Sequence, residues 1–396
     1  MRFQLKCLLL PALLWMSPAE AAAPDAFYVA TALELPGRPG TLIRSEPLRP
    51  PDGASAAFRV LYRSLGLKGE PIAVSGIVVL PKGLAPPGGR PVVAWAHGTS
   101  GIARHCAPSL DSTLFQQIEG LPDLLARGYV VTASDYPGLG TAGVHPYLIG
   151  SSQGRAVLDS VRAARELPGA NASARFIPWG YSQGGHASLF AATMAKHYAP
   201  ELKLVSIAAA APPTELGSLI RDDEQTMVGR ILAAFALRSW SQLYAIPAGN
   251  FLKHNADVLI QMSQQCSMNL HEDIGLAILE QPFEQGGFLS VDVTLVQPWR
   301  ALLDDNTPGI TPPGVPVFIA QGASDAIVRP NVTQLYADEL CSHNVKLHFA
   351  LVPNTGHREI GKASAKLAVS WMGDRFDDKP APSDCRDGLL ALPGRR

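Results

Sequence analysis

One stretch constrains the chain more than any other: Phe176-Ile177-Pro178-Trp179-Gly180-Tyr181-Ser182-Gln183-Gly184-Gly185-His186. An apolar run leads into Gly-x-Ser-x-Gly, and an Ala-rich helical pattern from Ala187 to Tyr198 follows at once. Strand, tight turn, helix is the setting in which this pentapeptide becomes a nucleophile elbow. A serine at the tip of such a turn holds a strained backbone conformation. Strand and helix then pass so closely that side chains two residues before and after it would collide, and Gly180 and Gly184 remove them. The turn also sets the Gln183 N–H, at a helix N-terminus, where it can donate to a developing oxyanion. The pentapeptide also occurs by chance, and the rest of the chain decides its meaning.

Residues 22–53 are rich in Pro and Gly and predict an arm laid over the main domain. Phe58 to Arg63 and Ile72 to Leu80 alternate as antiparallel edge strands do. Pro91 to Ala96 is a buried strand running into His97-Gly98-Thr99-Ser100-Gly101, a turn whose Thr99 N–H, with its hydroxyl, is the candidate second oxyanion donor. Gly128 to Asp135 is the next core strand. Asp135 sits at its end, where a carboxylate fixes loop backbone, and is read as structural. His145-Pro146-Tyr147 in the following loop either packs or lines the site. Ser151 to Leu167 has one apolar helical face. Pro178 is a misfit in a central strand, since it removes a ladder donor, and predicts a local bulge near the elbow.

Leu202 to Ala211 is again a strand, after which residues 213–312 break the strand–helix rhythm. Leu216, Leu219 and Ile220, then Met227, Val228, Ile231, Leu232 and Phe235, recur at helical spacing. A further helix is expected over Asn255 to Cys266, with others before Pro282 and Pro298. This predicts a helical cap with more apolar residues than a solvated loop needs. Strand Val315 to Gln321, helix Pro330 to Cys341, strand Val345 to Val352 and helix Glu359 to Met372 complete the core. Residues 376–396 form a polar tail.

Alternating strands and helices after residue 90 predict an α/β fold with a mostly parallel central sheet covered on both faces, the cap being inserted after the sixth core strand. In such sheets functional residues gather at the carboxyl ends of strands. Ser182, Asp325 and His357 each fall just past a predicted core strand, in the chain order that a hydrolase of this architecture uses. The expected roles are nucleophile for Ser182, general base and acid for His357, and orienting carboxylate for Asp325. His97, His186, His343 and His348 each belong to other elements, and His254 and His271 lie in the insertion. Asp304 and Asp305 precede their strand rather than follow it.

A net charge of −1 gives no long-range field for nucleic acid. Arg2 and Lys6, an apolar run from Cys7 to Met16, and Ser17-Pro18-Ala19-Glu20-Ala21 predict a cleavable signal peptide over residues 1–21, hence a secreted or periplasmic protein. Cys7 leaves with it. Cys106, Cys266, Cys341 and Cys385 remain, an even count that in an exported chain predicts two disulfides. Three connectivities are open; Cys106–Cys266 with Cys341–Cys385 is the expected one. With no Cys-x-x-Cys or His-Glu-x-x-His pattern, neither a metal nor another cofactor is expected.

Several motifs together resemble the secretory lipase family typified by Candida antarctica lipase A, a branch of the α/β-hydrolases. They are Pro39-Gly40-Thr41-Leu42-Ile43-Arg44-Ser45, Leu61-Tyr62-Arg63-Ser64, Ala96-His97-Gly98-Thr99, Asp135-Tyr136-Pro137-Gly138-Leu139-Gly140, Gly180-Tyr181-Ser182-Gln183-Gly184-Gly185, Gly322-Ala323-Ser324-Asp325 and Gly356-His357. The likeness spans roughly residues 36–375. It implies a secreted serine esterase or lipase with a cap shaping an acyl-binding tunnel over the triad. It also implies a disulfide from the loop after the oxyanion turn to the cap, which matches Cys106–Cys266. Where the yeast enzyme carries an aspartate by its oxyanion loop, this chain has His97-Gly98-Thr99.

The domain organisation expected is a signal peptide (1–21), a core in two parts (22–212 and 313–375), a cap (213–312) and a tail (376–396). The expected substrate is a small-molecule or lipid ester of acylglycerol type, with lipid contact at most interfacial. Two alternatives remain: the same triad acting on aromatic or polyester linkages, peptides or acyl transfer, or a non-catalytic binder of an apolar ligand.

Overall fold

The computed structural model describes residues 25–390 except 224–225, 248–249, 253–260, 262 and 267–288. The signal-peptide stretch, His254, His271 and most of the helices expected before Pro282 lie outside the described residues.

Ten strands form one sheet: β1 (Leu42–Leu48), β2 (Ala54–Leu65), β3 (Pro71–Pro81), β4 (Arg90–Ala96), β5 (Val130–Ser134), β6 (Ala172–Tyr181), β7 (Lys203–Leu204), β8 (Ile207–Ala210), β9 (Val317–Gly322) and β10 (Leu347–Val352). Their order is β1-β2-β3-β5-β4-β6-β8-β9-β10, with β7 also on β6. Pairing is antiparallel from β1 to β5 and parallel from β5 onward. β2 and β3 are antiparallel as expected, but neither is the edge strand their sequence suggested: β1 flanks β2, and β3, between β2 and β5, is buried from Ala73 to Pro81 without alternation. The continuous apolar run of β4, with five consecutive buried residues, fits a strand covered on both faces.

One face is covered by α1 (Leu114–Gln117), α2 (Leu121–Ala126) and a long C-terminal helix, the other by α3 (Gly150–Glu166) and α4 (Gln183–Tyr198). Between β8 and β9 come α5 (Leu216–Asp223), α6 (Met227–Leu243) and α7 (Trp299–Asp305). Phe235, Trp240, Phe251 and Trp299 give this segment an apolar cluster of its own, packed on Tyr147 and Ile149. Then come α8 (Pro330–Ser342) and α9 (His357–Phe376), followed by a small antiparallel pair, β11 (Cys385–Arg386) with β12 (Leu389–Leu390).

Three local expectations are corrected. The arm reading holds for residues 25–41, but Leu42–Leu48 is an edge strand paired with β2. Its residues are half-exposed or exposed and carry Pro47, so neither apolar alternation nor propensity marks it; proline is tolerated at a sheet edge. Pro298 begins a helix instead of ending one, because proline lacks only a donor that the first helical turn leaves unpaired anyway. The irregularity at Pro178 falls on its neighbour. Phe176 O accepts from Val205 N at 3.0 Å, so Pro178, two residues on, turns its missing donor to the same side. There the neighbouring chain is interrupted at residues 205–206, which splits the expected strand over 202–211 into β7 and β8. With those two counted as one and the edge strand β1 left aside, the helical insertion follows the sixth strand as expected.

Both expected disulfides form, with Cα–Cα distances of 5.3 Å. Cys106–Cys266 ties the loop after β4 to the insertion, and Gly101 pairs with Cys266 as an isolated bridge. Cys341–Cys385 pins the tail beside β10, where Asp384 also accepts from Phe349 N at 2.8 Å.

Candidate active site

The elbow is as tight as its glycines predict. Ser182 has φ +53° and ψ −122°, the strained region, between the end of β6 and the start of α4. A Cβ on Gly184 would run into the Ala96 carbonyl oxygen of β4, and one on Gly180 into that of Gly184. Ser182 N donates to Ala210 O at 2.9 Å, which moors the turn to β8.

Asp325 and His357 follow β9 and β10, which are parallel neighbours, so their loops run side by side. Ala323 N donates to Val352 O and Ser324 N to Thr355 O, at 2.9 and 3.0 Å. Gly322 allows this approach, since a Cβ there would strike Thr355 O. The carboxylate of Asp325 is divided between two tasks. Oδ1 accepts from Ile327 N and Val328 N, each at 2.9 Å, and Oδ2 faces His357 Nδ1 at 2.8 Å. Buried Gln321 backs the arrangement, its Nε2 donating to Val328 O at 2.8 Å and its Oε1 accepting from Thr333 at 2.7 Å. His357 Nε2 lies 2.8 Å from Ser182 Oγ. The ring of Tyr181 stands 5.2 Å from that imidazole, centroid to centroid. Three residues spread over 175 positions of the chain thus meet in one hydrogen-bonded line.

Gln183 is the first residue of α4, where N–H groups have no partner within the helix. Thr99 lies in the wall of a cleft that also contains Ser182 and His357. Its hydroxyl is engaged with the Tyr147 hydroxyl at 2.8 Å. Tyr147 is itself held by the insertion: Ser239 Oγ accepts from its N–H at 3.1 Å, and Trp240 Nε1 donates to its carbonyl at 2.7 Å. The sequence marks the loop of Tyr147 as one that lines the site or packs, and the structure puts Tyr147 at the site; its contact with Thr99 has no local signal.

Three other histidines are buried off the triad, His145 among them beside the site, with Nε2 3.2 Å from Gln183 Nε2. His97 is buried between Gly98 O (2.6 Å) and Asp135 O (3.2 Å), and burial lowers its pKa to about 4. His145 is stacked on Tyr136, with Nδ1 on Pro137 O at 2.9 Å, and burial takes it to about 3. His186 bonds Asn306 O at 2.7 Å and is likewise held at about 4. Asp135 fixes loop backbone and side chains as expected, accepting from Ser75 Oγ (2.6 Å), Ser109 N (2.9 Å) and Ser109 Oγ. His105 lies by Cys106 and Cys266, but their sulfurs are joined and offer no thiolate.

Two hollows meet at Ser182. One is tight, about 60 Å³, and walled by Leu216, Leu219, Ala233, Ala236 and Trp240 of the insertion. The other is a wide cleft of about 690 Å³ bounded by Trp95, Glu119, Tyr181, His357, Arg358 and Lys362.

Known proteins bear on this arrangement. The chain is 26% identical over 376 residues to a probable inactive lipase of Mycobacterium tuberculosis, covering 90% of this chain and 82% of that one. It is 25% identical over 378 residues to lipase A of Arthroderma benhamiae, covering 90% and 77%. Candida antarctica lipase A shares the fold, with a TM-score of 0.76 at 22% identity over 93% of this chain and 89% of that one. The secretory lipase family matches residues 107–384, well over half the chain, and the protein belongs to that family of carboxylic ester hydrolases.

Proposed function

We propose that this lipase is an exported serine hydrolase that cleaves acyl esters, acylglycerols among them, through Ser182, His357 and Asp325. The observation that carries the reading is the pair of 2.8 Å contacts from His357, one to Ser182 Oγ and one to Asp325 Oδ2. Serine is a weak nucleophile until a base takes its proton. His357 Nε2 receives that proton as Oγ bonds to the ester carbonyl carbon. The carbonyl oxygen, now negative, accepts from Gln183 N–H and from Thr99. His357 then returns the proton to the departing alkoxy oxygen, the C–O bond breaks, and an acyl-enzyme remains. A water deprotonated by the same imidazole attacks the acyl carbon and restores Ser182. Asp325 keeps Nδ1 protonated and steadies the imidazolium. The acyl chain occupies the apolar hollow under the insertion, which serves as a cap.

Ser182→Ala lowers turnover of p-nitrophenyl esters by about 10⁴-fold or more, and Asp325→Asn by about 10⁴-fold. A Ser182→Ala protein that keeps the parental rate removes the reading. Ala236→Trp narrows the acyl hollow, and the rate profile across acyl lengths shifts toward acetate and butyrate; an unchanged profile places the acyl chain elsewhere.

A further inference from the structure

The two oxyanion donors proposed above sit on parts of the molecule that are held in different ways. Gln183 opens α4 at an elbow fixed by backbone packing. Thr99 lies in a separate turn, and its hydroxyl contact leads away to Tyr147. Two donors share a developing oxyanion well when their spacing is set before the reaction, so one side has to be registered against the other. Three consecutive residues, His145-Pro146-Tyr147, span the gap. His145 Nε2 faces Gln183 Nε2 at 3.2 Å, and two residues on the Tyr147 hydroxyl meets Thr99 Oγ1 at 2.8 Å.

The sense of each bond follows from the ring. Nδ1 faces Pro137 O at 2.9 Å, a carbonyl that can only accept, so Nδ1 carries the proton. Burial lowers this imidazole to about 3, so near neutrality it holds that one proton and no other. Nε2 is therefore an acceptor, and the Gln183 amide donates to it. The turn that follows is stiff. Pro146 fixes its own φ, and Tyr147 N donates to His145 O at 2.9 Å. Ser239 Oγ of α6 braces the same two groups, donating to His145 O at 2.6 Å and accepting from Tyr147 N at 3.1 Å. Elbow, oxyanion turn and insertion thus meet on three residues.

We propose that His145-Pro146-Tyr147 sets the spacing of the two oxyanion donors, and that His145 is the positioning residue that registers the Thr99 side on Gln183. This role rests on the hydrolytic reading above. His145 lines neither hollow, so it acts through the Gln183 side chain and not on the ester.

The test measures kcat and KM on p-nitrophenyl butyrate, and the Ki of a trifluoromethyl ketone of similar acyl length. Ser182 Oγ bonds to the ketone carbon, its proton passes to His357, and the ketone oxygen becomes the oxyanion. His145→Leu lowers kcat about ten- to thirtyfold, less than losing a donor outright, with KM within about twofold of the wild type. The ketone Ki rises by the same factor. His145→Gln, whose amide reaches the place of Nε2, returns kcat to within about threefold of the wild type. His145→Asn, whose amide reaches only the place of Nδ1, does not. Should His145→Leu fail to fold, Ser239→Ala decides, with kcat lowered about threefold at constant KM. A folded His145→Leu protein with the parental kcat overturns the proposal. So does a loss confined to KM, a ketone Ki that does not move, equal rates in His145→Gln and His145→Asn, or, where it decides, an unchanged Ser239→Ala. Wild-type protein that hydrolyses no ester contradicts the hydrolytic reading itself, a result distinct from a loss seen in the variants.

Discussion

The nucleophile elbow and the turn proposed to complete an oxyanion hole lie at the ends of adjacent parallel strands, yet they are held by different forces. The elbow is backbone against backbone: Gly180 and Gly184 let β6, α4 and β4 approach to where no Cβ fits. The oxyanion turn is side chain against backbone. The His97 ring sits between Gly98 O and Asp135 O, Tyr136 Oη donates to His97 O at 3.2 Å, and the Thr99 hydroxyl meets Tyr147. A site locked by sterics fails abruptly when perturbed. One held by a hydrogen-bond network loses function by degrees.

The largest effect expected from that contrast is at Gly184. Gly184→Ala forces a Cβ into the Ala96 carbonyl, destabilises the fold by about 3 kcal/mol, and abolishes measurable ester hydrolysis. A Gly184→Ala protein with the parental melting temperature and rate contradicts steric locking of the elbow. Acid should act on the buried imidazoles, His97 and His145 around the Thr99 turn and His186 in the helix after the elbow. Burial holds His97 and His186 at about 4 and His145 at about 3, while an unfolded imidazole titrates near 6.5. The unfolded chain binds these protons more readily, so the stabilisation is fully present above about pH 6.5 and is lost as pH falls toward 4. Melting temperature measured from pH 8 to pH 4 should fall along that interval, and His186→Gln should flatten the slope. The smallest effect is at Tyr147, whose hydroxyl only orients Thr99. Tyr147→Phe should lower kcat about three- to tenfold with little change in KM. A KM effect alone would make Tyr147 part of the acyl wall and nothing more.

The same contrast explains what the sequence discloses. Elbow sterics are local, so Gly-x-Ser-x-Gly between an apolar run and an Ala-rich helix announces them, and the ends of β9 and β10 add Asp325 and His357 in order. The oxyanion scaffold depends on Tyr136 and Tyr147, about forty and fifty residues from Thr99, and nothing near them in the chain marks the contact. Pro178 reads as a defect of its own strand. The strand beside it absorbs the irregularity, because a missing donor is felt where the acceptor should be. Leu42–Leu48 is hidden because an edge strand exposed along much of its length needs no apolar alternation.

The central claim is that Ser182 is made reactive by His357 and Asp325. Treating the protein with a fluorophosphonate and locating the adduct by peptide mass spectrometry tests it most directly, since the reagent modifies only an activated serine. The account predicts a single adduct on the peptide containing Ser182, formed at least a hundredfold more slowly in His357→Ala. A folded wild-type protein with no adduct, or with one on another serine, contradicts it.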